Sequence, residues 1–225
     1  MEVLYEDDDI VAVNKPAGQI VHAAPGHEEG SLADELVKSR PGMASVGSRE
    51  RPGVVHRLDI ETSGVVVFAK TQRAYARLRA TFDSHDRLKK TYIAILHGAP
   101  KPPSGVLETT IGRKPWDPRR MAVDVPGGKR AVTRWTTLKR IGSLALVEFV
   151  IETGRTHQIR VHAAHLGHPV AGDSLYGDKA KDGRLSIHPG RQLLHAVMLE
   201  FPHPVTGKMI SLAARPPDDM LYVAT

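Results

Sequence analysis

The stretch Val54 to Thr71, VVHRLDIETSGVVVFAKT, constrains this chain more than any other. It reads apolar strand, polar turn, apolar strand. Val54 and Val55 open it, and Val65, Val66, Val67, Phe68 and Ala69 close it. β-Branched residues on both sides predict buried strands. Between them, HRLDIETSG gathers a histidine, an arginine, two acids and a glycine. Rigid strands would present such a segment at a fixed place, a common way to build a site. A solvated turn has the same pattern, and spacing alone leaves both readings open.

The rest of the chain predicts what surrounds that stretch. Val3 to Tyr5 and Ile10 to Asn14 flank EDDD as a hairpin, and Lys15-Pro16-Ala17-Gly18 then breaks the pattern. Ser31-Leu32-Ala33-Asp34 has capping-box spacing before the helix LADELVKS. Arg40 to Gly53 reads as a mobile basic loop. Thr71 caps a helix running to about Phe82, with Tyr75, Leu78 and Phe82 on one face. Strands are expected at Thr91 to Leu96 and Val106 to Ile111. RKPWDPRR, Arg113 to Arg120, reads as a basic, proline-broken loop. Ala131 to Leu138 and Leu144 to Glu152 pair across a turn near Gly142. GRTHQIRVHAAHLG reads as a turn and a short helix. Leu193 to Phe201 and Met209 to Ala214 close the series. Many strands and about three helices, without regular alternation, predict an α+β fold with a mixed, largely antiparallel sheet. No linker or repeat interrupts it, so residues 1–225 read as a single domain.

Composition narrows the class. At 225 residues, 41% hydrophobic and 25% charged, the chain can bury a sizeable core. It has no cysteine, which excludes disulfides and thiolate metal sites and suits a reducing compartment. Its N-terminus is acidic where a signal peptide would be basic, and no run reaches membrane-spanning length. The expected setting is cytoplasmic, away from membrane. A net charge of +6 and a pI of about 9.6 favour a polyanionic partner, nucleic acid first. Aromatics make up 5%, too few for an extended base-stacking platform.

Four features carry candidate chemistry. Asp59 in HRLD could act as nucleophile, base or metal ligand, with His56 and Arg57 beside it, or it could cap its own turn with Thr62 and Ser63. Arg155 sits at a helix entrance among Thr153, Thr156, His157, Gln158 and Arg160. An arginine there can pair bidentately with a carboxylate, although a surface arginine is the commoner case. His157, His162, His165 and His168 invite a metal, but no acid lies among them, and packed or RNA-facing roles rank higher. Tyr92 opens an apolar strand, where it would be a core residue or a stacking surface for a base.

Together these residues resemble the RluA-type RNA pseudouridine synthases. VVHRLDIETSGVVVFAK resembles the signature of that family. DDDIVAVNKPAGQIVH, KKTYIAILHG, TGRTHQIRVHAAHLGHPVAGDSLYG and LLHAVMLEFPHPVTGK resemble further segments, in family order over nearly the whole chain. The resemblance implies isomerisation of uridine to pseudouridine in an rRNA or tRNA stem-loop. It implies a bent sheet in two halves around a central cleft, with no metal and no organic cofactor. The family aspartate falls on Asp59, its tyrosine on Tyr92 and its arginine on Arg155. Arg57 falls on the arginine that takes the place of the flipped base. His56 lies beside it in substrate-binding position, and Ile159 and Leu194 fall on apolar pocket walls.

Arg49, Arg51, Arg73, Lys89, Lys90, Arg119 and Arg120 are candidate phosphate contacts. No S4-like RNA-binding module is recognised ahead of the first strand, so grip on RNA is expected from the catalytic domain itself or from an added protein, and the chain is expected to be a monomer. Ile60 and Glu61 stand where many relatives have a basic-acidic pair. Two rival readings remain: an RNA-binding protein of the same fold without catalysis, and a metal-dependent nuclease or hydrolase using Asp59 and the histidines.

Overall fold

The computed structural model describes residues 1–23, 29–185 and 189–224. They fall into two compact units, Met1–Lys89 with Ala196–Arg215, and Lys90–His195 with Pro216–Thr225.

In the first unit, β1 (Glu2–Glu6) and β2 (Ile10–Lys15) form the expected antiparallel hairpin. The turn between them is closed by Asp7, whose Oδ1 accepts from the N–H groups of Asp9 and Ile10, both at 2.9 Å. Ile10 to Val13 are completely buried, so β2 reads as an unbroken apolar run. It pairs antiparallel with β5 (Ser63–Ala69), in register from Ile10 opposite Ala69 to Lys15 opposite Gly64. β5 lies between β2 and β11 (Leu194–Pro202), and β11 pairs antiparallel with β12 (Met209–Ala213). Helix α1 (Leu32–Ser39) starts at Ser31 with the capping box read from the sequence. Helix α2 (Gln72–Ser84) starts at Thr71 and lays Ala74, Leu78 and Phe82 into a core with Val65, Val67 and Phe201.

Two expectations for this unit need correction. Gly64 does not belong to the turn. It is already in β5, at φ +120°, and a Cβ there would lie 2.2 Å from the carbonyl of Ala196. Glycine is needed because the β11 backbone passes directly against it. Arg40 to Gly53 is not a bare loop either. It holds a 3-10 turn (Pro41–Ser45) with Met43 buried, then a hairpin of β3 (Gly47–Ser48) and β4 (Arg51–Pro52). Gln72 of α2 accepts from the Gly47 N–H at 2.9 Å and fixes that hairpin.

In the second unit, β6 (Lys89–His97), β7 (Ser104–Lys114), β8 (Asp117–Val123), β9 (Lys129–Ile141) and β10 (Leu144–Ile151) are ordered β6-β10-β9-β7-β8, all pairs antiparallel. Arg113 to Arg120, expected as a loop, is the end of the β7–β8 hairpin. Pro118 is tolerated because β8 is an edge strand, where a missing N–H leaves no ladder bond unmade. Helix α3 (Gln158–His165) is buried from Gln158 to Ala163. The charged and polar members of that run therefore need internal partners. Arg160 finds one in Asp173, at 2.7 and 2.9 Å. Two helices went unpredicted, α4 (Lys179–Asp182) and α5 (Asp218–Ala224). The α+β class with antiparallel pairing agrees with the sequence reading. No described helix is long and apolar enough to cross a membrane.

Candidate active site

The first unit carries His56, Arg57 and Asp59 on the segment between an isolated bridge at Val54 and the start of β5. Its path is fixed at several points. The His56 ring stacks on Phe82 with centroids 4.4 Å apart, and its Nε2 accepts from the Val67 N–H at 3.0 Å. His56 therefore anchors the segment, one nitrogen being committed to the sheet. Arg57 is exposed and Leu58 buried. Asp59 is half-buried, and its carbonyl accepts from the Thr62 N–H at 3.1 Å to close the turn.

A second clamp lies on the next residue. The Ile60 carbonyl accepts from Lys15 Nζ at 2.7 Å and from the Gly18 N–H at 3.0 Å. Lys15 is fully buried, and its ammonium also donates to the carbonyls of Pro16 at 2.9 Å and Gln19 at 2.6 Å. A buried cation is tolerated only when its donors are satisfied, and three carbonyls do that here. The Lys-Pro turn is thus a brace that sets the backbone next to Asp59. The sequence marked it only as a break in pattern.

The second unit carries Tyr92, Arg155, Ile159 and Leu194. Tyr92 stands on β6 opposite Phe149 and packs against one apolar cluster that contains Phe149, Ile151, Ile159 and Leu194. The predicted aromatic and the two predicted apolar walls are therefore brought together. Lys90, two residues earlier, shares the strand face of Tyr92. Both Lys89 and Lys90 are candidate phosphate contacts from the sequence; Lys90 is buried, whereas Lys89 is exposed and 3.4 Å from Glu200. Burial first, and then the positive charge of Arg155, push the Lys90 ammonium down to about 8. Two cations so close together form a positive pole suited to an anion.

Arg155 is held by its own turn. Gln158 Oε1 accepts from the Arg155 N–H at 3.0 Å and from the Thr153 hydroxyl at 2.8 Å. Gln158 Nε2 donates to the Val132 carbonyl at 3.0 Å and to Thr133 Oγ1 at 2.9 Å. Arg155 Nε donates to the Arg130 carbonyl on β9 at 2.9 Å, which fixes one edge of the guanidinium. Gln158 is the positioning residue that the sequence showed only as part of a polar cluster.

The histidines divide by surroundings. His162 is buried, with Nδ1 2.8 Å from the Thr133 hydroxyl and Nε2 2.9 Å from the Thr109 hydroxyl. Burial, and then the charge of His165, push it down to about 4, against a small opposing pull from Asp124. His165 is exposed. His168 Nδ1 lies 2.9 Å from the His97 carbonyl, and His157 Nδ1 lies 2.8 Å from the Tyr176 hydroxyl. No group of three or more His, Cys, Asp or Glu side chains is placed to hold a metal among the described residues.

Comparison with known proteins agrees with these motifs. A family model described as RNA pseudouridylate synthase matches residues 9–165. A protein named an uncharacterised RNA pseudouridine synthase in Synechocystis is 41% identical over 220 residues, 96% of this chain and 66% of the relative. The ribosomal large subunit pseudouridine synthase D of Zymomonas mobilis is 40% identical over 225 residues, 98% of this chain and 70% of the relative. The chain thus spans 66% of the first of these relatives, and 64% of a further one from Chloroflexus aurantiacus. Among solved structures, human RNA pseudouridylate synthase domain containing 4 superposes with a TM-score of 0.78 at 27% identity, covering 99% of this chain and 91% of that one. On the family match over residues 9–165 and these identities, this chain belongs to the RNA pseudouridylate synthase family.

Proposed function

We propose that this protein isomerises uridine to pseudouridine in RNA. The observation that carries the reading is the family match over residues 9–165, which spans Asp59, Tyr92 and Arg155. In the reaction the C1′–N1 bond breaks, the uracil turns, and a C1′–C5 bond forms. The proton lost from C5 is balanced by one gained at N1, so no external reactant is consumed. Asp59 is assigned as the reacting carboxylate and Arg155 as its cationic partner. Tyr92, backed by Ile159 and Leu194, packs on the uracil. Arg57, exposed at the start of the Asp59 turn, fills the gap left by the extruded base, with His56 supporting it. Extrusion costs roughly a few kcal/mol, which these contacts offset. Ribosomal RNA is the favoured substrate because two relatives at 40% and 42% identity are named ribosomal large subunit pseudouridine synthases. The working compartment is the cytoplasm, in keeping with a chain that has no cysteine.

The test maps pseudouridines in cellular RNA with and without this protein, then repeats the assay with purified Asp59→Asn. Turnover should fall at least ~10³-fold while RNA affinity stays within about threefold. Retained turnover in that variant would remove Asp59 from its role. An unchanged pseudouridine map would favour a binding protein of the same fold.

A further inference from the structure

The first unit contains a cavity of about 530 Å³ whose lining meets the proposed reaction at His56 and Arg57 and extends beyond it to residues that the reaction does not use. Its walls come from the β3–β4 hairpin, from α2 and from the segment leading to Asp59. The lining includes His22, Ser48, Arg51, Arg57, Tyr75 and Arg79. Three guanidinium groups face it, against one carboxylate, Glu50. The Glu50 carboxyl is already engaged and held below its usual range by its own backbone N–H, by Ser48, and then by Arg49 and Arg51. Arg79 is partly committed, donating to the Val55 carbonyl at 3.3 Å and lying 3.3 Å from Asp83. Arg51 and Arg57 are exposed.

His22 is the informative member. It is 4% exposed, yet neither ring nitrogen has a hydrogen-bond partner. Burying both without a partner is unfavourable, and such groups in folded proteins call for an explanation. Burial, and then the charges of Arg57 and Arg51, push its imidazole down to about 4. A neutral ring keeps one N–H to donate, and it sits where positive charge is in excess. Both facts suit an anionic oxygen.

We propose that this cavity binds a backbone phosphate of the RNA flanking the target nucleotide, with Arg51, Arg57 and Arg79 supplying charge and His22 one N–H donor. The inference rests on RNA as the substrate, and it assigns to His22 a ligand-binding role that no motif indicated. The hairpin read from the sequence as a mobile loop becomes a built wall, since Gly47 packs against Tyr75 and is tied to Gln72.

The test uses Arg51→Gln and His22→Phe in the full chain. Binding of an rRNA stem-loop is measured between 50 and 200 mM salt, together with thermal melting. One lost phosphate contact flattens the log–log salt slope by about 0.7 to 0.9. Over a fourfold salt change, variant and wild-type affinities should then converge about threefold. Turnover at saturating RNA should be unchanged. His22→Phe should melt no lower than wild type, because it removes two unpaired nitrogens, and still bind RNA more weakly. A structural histidine would give the reverse, lower melting with intact RNA affinity, and that result would overturn the proposal. Inorganic phosphate serves as a second probe, read by the His22 ring signals in NMR. A shift with phosphate while both variants keep wild-type RNA affinity would mark a free-anion site and also overturn it. Pseudouridine formation by both variants with unaltered salt slopes would sink the pocket and leave the reaction standing. Weakened RNA binding with no pseudouridine formed by the wild type would do the opposite.

Discussion

The two units hold their candidate site residues in different ways. Beside Asp59, the backbone is braced by a buried ammonium, Lys15, which donates to three carbonyls including that of Ile60. Beside Arg155, the backbone is braced by a neutral amide, Gln158, which bonds the Arg155 and Thr153 positions to β9. The two braces differ in charge. A cation near Arg155 would join Lys90 in a cluster that already disfavours the charged ammonium, so a neutral amide suits that position. The price of the charged brace is the desolvation of Lys15, which its carbonyl partners offset.

This contrast can be tested from its strongest side. Lys15→Met takes a donor from the part-buried carbonyls of Pro16, Gln19 and Ile60, of which only Ile60 keeps a second among the described residues, the Gly18 N–H, and should lower stability by roughly 3–5 kcal/mol. Lys15→Gln keeps a donor but no charge. If its stability and turnover match the wild type, the charge of the brace is irrelevant. Chemical denaturation of both variants decides it.

Lys90→Met should act in the opposite sense. The folded Lys90 titrates near 8, below its ordinary value, so between pH 8 and about 10.4 the unfolded chain binds more protons and wild-type stability rises with pH. Below that window the buried charge costs on the order of 3 kcal/mol, and the Met variant should be the more stable by about that amount at pH 7. The difference between the two proteins should close as pH approaches 10.4. A constant difference across that range would remove Lys90 as a buried cation.

Gln158→Leu should cost roughly 1–3 kcal/mol, because it leaves the Arg155 N–H without its partner and takes from the Val132 carbonyl one of two donors, the Glu152 N–H remaining. Its turnover should drop while RNA affinity holds, which distinguishes aiming of Arg155 from a phosphate contact. Acid should act on the second unit as well. His162 stays neutral when folded, so stability is complete above about pH 6.5 and declines as pH falls toward 4. His162→Gln should show a shallower decline over that window in melting temperature.

Much of this was legible in the sequence. Apolar runs marked β2 and β5, alternation or apolar runs marked β9 and β10, and period-3.6 patterns marked α1 and α2, while Ser31 and Thr71 marked helix starts, because caps, runs and amphipathic faces are local. The second half of the β7–β8 hairpin was not legible. Proline and charge read as loop there, and only the edge position of β8 makes Pro118 tolerable. Helices α4 and α5, at four and seven residues, are too short for a periodic signal.

The sequence by itself determined the α+β class, the order of the motifs and the identity of Asp59, Tyr92 and Arg155 as candidates. Residue type and spacing along the chain are enough for those. Only the tertiary structure decided that Lys15 and Gln158 are braces, that Lys90 is buried while Lys89 is not, and that His22 lies unpaired among arginines. Burial and partner choice depend on segments distant in sequence: Lys15 meets Ile60 across 45 positions, and Gln158 meets Val132 across 26. No local pattern encodes such contacts, because their energy exists only once the chain has closed around them.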